Sequence, residues 1–387
     1  MTTTLNASNS GSGGLVATAD ASGILALQTA GTTALTIDTS QNATFAGYAN
    51  LPNTFGFKNR IINGAMVIDQ RNVGASVNVT NNLYTLDRWV FDSSQTGKLT
   101  CQQNAASVTP PAGFANYLGV TSATSYSVLT SDTFTLKQNI EGFNTADLGF
   151  GAAGASTVTL SFWVRSSLTG TFGASLVNSA FNRSYPFSYT ISSANTWEYK
   201  TVTVAGDTSG TWVGATNGIG LRVYFNLGAG STYVGTANTW NAGGYVSPSG
   251  ATSVVGTSGA TFYITGVQLE KGSTATSFDV RSYPTELGMC QRYYEKIPAG
   301  IYGAVGVRTT DWYGNIMWQV EKRTNATCTL NGTINIVGSS GDINGQTPTG
   351  LDTASTKSIR IYRTGGAFTT QAGSFYIPNY LEVSAEL

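Results

Sequence analysis

The side chains able to do chemistry in this chain are its carboxylates, its aromatics and three cysteines; histidine is absent from all 387 residues. Without an imidazole the chain lacks both the usual proton shuttle near neutral pH and the commonest metal ligand. Two carboxylates a few ångströms apart would still suffice for glycoside hydrolysis. The chain has 20 acidic residues, Asp87, Asp92, Asp132, Glu141, Glu270 and Asp279 among them. The residues named fall at expected strand ends or turns, where carboxylates cap, solvate or hold a structural cation. Asp87 and Glu270 are the positions considered for a calcium ion at the ends of the central strands. No catalytic residue and no cofactor is assigned, and the expectation is a protein that is not an enzyme.

Two other patterns carry less. Gly149-Phe150-Gly151-Ala152-Ala153-Gly154 matches G-x-G-x-x-G, but Ser156 to Arg165 then alternates at period two. A loop leading into a strand offers no helix N-terminus to a pyrophosphate. Cys101, Cys290 and Cys328 are far apart and odd in number, so buried free thiols are expected rather than a disulfide framework.

Aromatics are the better lead to function. Sugar rings pack their C–H faces on aromatic rings, while amides and guanidinium groups take the hydroxyls. Alternation over Thr157 to Arg165 turns Val158, Leu160, Phe162 and Val164 to one side and Ser161, Trp163 and Arg165 to the other. Leu221, Val223, Phe225 and Leu227 repeat the pattern and leave Arg222, Tyr224 and Asn226 opposite. A sheet face bearing Trp163, Arg165, Arg222, Tyr224 and Asn226 is the candidate glycan surface, supplemented from loops by Trp240 and Tyr245. Trp89 and Trp197 are assigned to the core.

The elements that must position these residues read as all-β. Short apolar bursts rich in Val, Thr, Tyr, Phe and Trp alternate with Gly, Asn and Ser clusters. Residues 1–50 carry very short apolar strokes, Leu15-Val16, Ile24 to Leu27, Ala34 to Ile37 and Ala43 to Phe45. Strands this short cannot bury enough surface alone, so they are expected to form an intertwined, homotrimeric β-stalk. Residues 51–84 read as a neck, with a hairpin signal at Asn63-Gly64. Residues 85–283 have the spaced strands of a β-sandwich, residues 284–296 a short linking helix with Pro284 at its start, and residues 297–387 a smaller β tip domain.

Lysine plus arginine equals aspartate plus glutamate at 20 each, so no net field favours nucleic acid or an anionic membrane. No apolar run is long enough to span a bilayer, and the first residues lack a signal-peptide pattern; synthesis in a cytoplasm is expected.

Several stretches carry a family resemblance: KNRIINGAMVIDQRN, YTLDRW, TVTLSFWVRSS, TWEYKTVTV, FYITGVQLEKGSTATSFDVRSYPTELGMCQRYYEK and the final SAEL. Together they resemble a family of tailed-bacteriophage virion proteins, described as tail fibre or tail-associated proteins. The central body is similar to carbohydrate-binding modules of the jelly-roll type. The resemblance implies a trimeric fibre in the virion, joined to another virion protein by its N-terminal segment and presenting β-domains to host-surface glycans. Residues 297–380 are not covered by it, and it assigns no sugar-binding residue.

Overall fold

The computed structural model describes residues 22–29, 31–40, 43–45, 58–352 and 354–387. The chain divides into two compact units, Met1–Gly56 and Phe57–Leu387.

In the first unit, strands Leu25–Thr29, Thr32–Ile37 and Ala43–Phe45 form one antiparallel sheet, with Leu25 opposite Ile37 and Leu35 opposite Phe45. These are three of the four expected strokes; Leu15-Val16 lies outside the described residues. The sheet leaves Ile24, Leu25 and Leu27 exposed at 47%, 54% and 40%.

The second unit is built on two six-stranded antiparallel sheets. The front sheet runs in the order Glu198–Val204, Val158–Ser166, Thr261–Lys271, Leu118–Ser122, Leu99–Gln103, Val77–Asn78. The back sheet runs Ser184–Ile191, Gly170–Val177, Ile219–Ala229, Thr133–Glu141, Val90–Ser93, Leu83–Tyr84. The chain passes repeatedly from one sheet to the other, with Leu83–Tyr84 and Val90–Ser93, Leu99–Gln103 and Leu118–Ser122, and Gly170–Val177 and Ser184–Ile191 paired within a sheet, a jelly-roll-like connectivity. Val158, Leu160, Phe162 and Val164 of the front sheet meet Val223, Phe225 and Leu227 of the back sheet with no exposure. Period-two alternation thus produces the inter-sheet core that the sequence predicts.

Residues 58–84 are not the expected neck. Ile61, Met66 and Val79 belong to the inter-sheet core, and Val77–Asn78 and Leu83–Tyr84 are the edge strands of the two sheets. Asn63-Gly64 makes a turn but no hairpin. Asn63 is in the left-handed region at φ 58°, and its buried amide donates to the Ile68 and Asp87 carbonyls while accepting from the Ile68 amide. Gly64 lies so close to the Val267 carbonyl that a Cβ would sit 2.2 Å from its oxygen. A segment held by one polar side chain and a close backbone approach carries little alternation, which is why it reads as a connector.

The helix is shorter than expected, Tyr283–Gln291, with Pro284 in its first turn. It is fixed to the sandwich: Glu286 accepts from the Asn63 amide and pairs with Arg281, and Cys290 and Tyr293 pack with Ile62 and Ile68. Tyr294 is already in a strand, Tyr294–Ile297, paired with Tyr380–Ser384, which pairs in turn with Thr327–Asn331. The C-terminal part also holds a seven-stranded sheet whose buried face carries Val305, Val307, Trp312, Ile316, Ile336 and Ile361. Its strand Asp311–Met317 ends where the chain leaves the sheet and buries Lys322 against Glu295 at 2.5 Å.

The junction between the sandwich and this C-terminal part is dense in charge. Arg88 is buried, donates to Glu386 and to the Asn139 carbonyl, and lies 3.6 Å from the Tyr293 ring centroid. Arg71 bonds Glu386 at 3.0 Å and lies 3.5 Å from the Tyr294 ring centroid. Arg292 grips Glu141 at 2.6 and 3.0 Å.

Candidate functional site

The outer face of the front sheet is where the chain builds a groove. Strand Val158–Ser166 sends Ser161, Trp163 and Arg165 outward because their neighbours fill the core. Register places Trp163 between Tyr199 on one side and Thr265 on the other. The Trp163 and Tyr199 rings approach to 5.4 Å between centroids at 47°, and Tyr199 is 44% exposed.

A bulge opposite Ser161 and Trp163 shapes the floor. Gly266, at φ +61°, sits in that bulge, and a Cβ there would meet the Phe114 ring at 2.6 Å. Only glycine satisfies both the backbone angle and the space. Phe114 therefore lies down on the sheet, where Phe278 meets it edge to face at 5.1 Å. Phe114, Ser161, Trp163, Tyr199, Thr276 and Phe278 enclose a groove of about 240 Å³, with no charged side chain in its lining. Its chemistry is that of aromatic faces beside hydroxyls. The Thr276 hydroxyl donates to Glu270 at 2.7 Å and keeps its lone pairs for an incoming donor.

Of the residues expected to bind, only Trp163 lines this groove. The supposed single face is two: Trp163 and Arg165 are on the front sheet, whereas Arg222, Tyr224 and Asn226 belong to Ile219–Ala229 of the back sheet. Alternation shows which residues share a side of one strand, but not which sheet that strand joins. The back-sheet trio is also covered. Tyr224 is 3% exposed beneath Phe181, Tyr233 and Val246, and burial pushes its phenol far above its ordinary pKa. Asn226 is buried and accepts from the Gly228 amide, and Arg222 donates to the Asn178 and Ser179 carbonyls.

Arg165 is spent on the Asn195 carbonyl, 2.9 Å away, and on the Tyr263 ring. Trp240 is structural: its indole donates to the Ala205 carbonyl, and its ring meets Phe150, Tyr185 and Trp212 edge to face. Tyr245 lies against the backbone of Gly235 and Gly243, where a Cβ would come within 2.6 and 2.7 Å of its ring. Trp89 is in the core as expected, but Trp197 is half-buried on the outer face of the front sheet, against Tyr117 and bonded to the Thr109 carbonyl.

Tyr199, Phe114 and Phe278 were not expected at the site. Tyr199 has the same parity as Thr201 and Thr203, so its outward direction was available from TWEYKTVTV. Phe114 and Phe278 come from loops, which give no periodic signal.

The acidic residues are each engaged by protein groups. Asp92 binds Lys137 at 2.6 and 2.8 Å, and Asp132 accepts from Ser94, Tyr126 and the Leu129 amide. Glu141 holds Arg292 and the Tyr293 hydroxyl; burial pushes its pKa up, but these hydrogen bonds pull it below the usual range. Asp87 and Glu270, the positions considered for calcium, accept hydrogen bonds from protein groups, Asp87 from Gln70 and Glu270 from Gln268 and Thr276. Among the described residues no three acidic or cysteine side chains converge. The thiols are free, with Cys101 and Cys290 buried and Cys328 half-buried.

No family model matches the chain, and no curated protein matches it. Among solved structures the chain is similar to the enzymatically active domain of bacteriophage CBA120 tailspike protein 4, at 12% identity and TM-score 0.31, over 55% of this chain. It spans only 21% of that tailspike domain. It is also similar to a family 11 carbohydrate-binding module from Clostridium thermocellum in complex with a mixed-linked tetrasaccharide, at 10% identity and TM-score 0.25, over 52% of this chain and 98% of the module. A third similarity is to TmCBM61 in complex with β-1,4-galactotriose, at 9% identity and TM-score 0.25, over 48% of this chain and 88% of that one.

Proposed function

We propose that this chain is a structural virion protein of a tailed bacteriophage, a homotrimeric tail fibre or adhesin that holds host-surface glycans without turning them over. The observation that carries the proposal is the groove in which Trp163 and Tyr199 face Phe114 and Phe278 with hydroxyls beside them and no charge. Aromatic faces with a few hydroxyls suit a polyhydroxylated ring and offer little to an ionic ligand. The N-terminal unit supports assembly: a three-stranded sheet that leaves Ile24, Leu25 and Leu27 exposed gains by covering them with partner chains. Joined to another virion protein by that unit, three copies would engage together, so weak single contacts add up to firm attachment.

Two measurements test this. Trp163→Ala should weaken binding of the protein to its host cells or their polysaccharide at least tenfold, by analogy with aromatic anchors at other binding surfaces, without lowering thermal stability by more than a few degrees. The mass in solution should be that of a trimer for the full chain and of a monomer for a form beginning at Lys58, which keeps the whole sandwich core. Unchanged binding by Trp163→Ala would remove the groove from the function. Progressive loss of the polysaccharide on incubation would show turnover, and a monomeric full chain would end the trimer reading.

A further inference from the structure

The groove has a neighbour, and this inference rests on the groove being a glycan site. Phe114 and Phe278 also line a second hollow, of about 180 Å³, so the edge-to-face pair is a wall common to both. On the far side of that wall Ala65, Val67, Ala115 and Val280 make an apolar patch beside the polar side chains of the hollow. Ala115 is exposed and Val280 is 79% exposed, which puts them at the mouth. Asp279, Arg281 and Glu286 also border the hollow, and Glu286 is taken up by the Asn63 backbone N–H and by Arg281. Asp279 turns Oδ2 to the Asn59 amide at 3.2 Å and to Arg281 at 3.6 Å. Its Oδ1 has no hydrogen-bond partner among the described residues, and the side chain is 25% exposed.

A sugar hydroxyl placed against Ala65, Val67 and Ala115 would lose water without gaining a partner there, and a methyl group would not. A carboxylate oxygen with spare lone pairs calls for an N–H donor beside that methyl. An acetamido group carries both, one bond apart. We propose that this hollow is a subsite for the acetamido group of an N-acetylated hexosamine, within a glycan whose adjoining ring lies on Trp163 and Tyr199. The Asp279 Oδ1 accepts the acetamido N–H, the methyl packs on the apolar wall, and the acetamido carbonyl stays toward water at the mouth.

Chitotriose and cellotriose make a matched pair of probes, both β-1,4-linked trisaccharides that differ at C2 by acetamido against hydroxyl. Titrated into the full chain, chitotriose should bind roughly fifty- to several-hundredfold more tightly, the range expected for one buried methyl plus one hydrogen bond to a charged group. In saturation-transfer spectra the acetamido methyl protons should receive the most magnetisation. Ala115→Trp, which fills the mouth from an exposed position, and Asp279→Asn should each bring chitotriose toward the cellotriose affinity and leave cellotriose unchanged. Trp163→Ala should weaken both sugars. Equal affinity of the wild type for the two sugars, with both lost in Trp163→Ala, would overturn the subsite and leave the groove standing. A preference for chitotriose that survives Ala115→Trp and Asp279→Asn would also overturn it. Failure of both sugars to bind at millimolar concentration would remove the groove as a site for these glycans, and the subsite with it.

Discussion

Stability should fall as pH rises through the weakly acidic range, because of one carboxylate at the junction of the sandwich and the C-terminal strands. Asp87 is fully buried, with Oδ2 accepting the Gln70 amide at 2.7 Å, Oδ1 accepting Gln70 Nε2 at 2.8 Å, and Arg71 at 3.8 Å. Loss of hydration pushes its pKa from 3.8 up to about 6, against the pull of Arg71 and the Gln70 hydrogen bonds. A folded-state pKa above the unfolded one means that the native protein binds this proton more tightly. Its contribution is therefore fully present below the unfolded value of 3.8 and is lost as pH rises through about 6. At 1.36 kcal/mol per pKa unit the loss is about 3 kcal/mol by pH 7. Asp87→Asn keeps an oxygen for the Gln70 amide and cannot ionise, and Arg71 retains Glu386 and the Tyr294 ring. Relative to wild type, the variant should gain about 2.5 kcal/mol between pH 4 and pH 7, read from urea midpoints at matched m-values. Taking the difference cancels the opposite trend of groups such as Glu141, whose pKa is lowered. A difference that stays flat with pH, or direct titration of the Asp87 carboxyl near 4, would refute the view that burial dominates its charge.

Three further outcomes separate structural from binding roles. Trp240→Ala should cost about 3 kcal/mol of stability, since it removes an indole packed on three rings and strands the Ala205 carbonyl, while the folded variant still binds glycan. Asn63→Ala leaves the Asp87 carbonyl and the Ile68 amide unpartnered, takes one of two donors from the Ile68 carbonyl and strains a left-handed backbone; denaturant unfolding should register a loss of about 3 kcal/mol. Glu386→Ala deprives buried Arg88 of its carboxylate, at about 3 to 5 kcal/mol, and limited proteolysis should then cut the C-terminal strands away from the sandwich more quickly than in wild type.

The parts of the fold that were legible in the sequence are those in which one strand decides for itself. Thr157 to Arg165 and Leu221 to Leu227 each bury one parity, and that parity could be read without knowing any partner. The segment 58–84 obeys a different logic. Ile61 and Met66 enter the core from turns, not from alternating strands, and what fixes them is the Asn63 amide reaching Ile68 and Asp87 and the bare Cα of Gly64 beneath Val267. The Asp87 contact spans 24 residues and the Gly64 approach some two hundred, so no local window contains either. The buried charges at the junction escape for the same reason: the tail residue Glu386 meets Arg71 and Arg88 across the length of the unit.

The same distinction explains why one groove residue was found and the rest of the wall was not. Trp163 was visible because its strand is amphipathic, yet its direction alone says nothing about what lies beside it. Tyr224 has the same visible direction on its own strand and ends up buried, because the chain beyond that strand lays Tyr233 and Val246 over it. What keeps Trp163 open is the bulge at Gly266, which seats Phe114 beside the tryptophan instead of on top of it. An added Cβ at position 266 would lift Phe114 and reshape both hollows at once, since Phe114 is common to them. The decision between a covered aromatic and an available one therefore rests on loop residues and a single glycine.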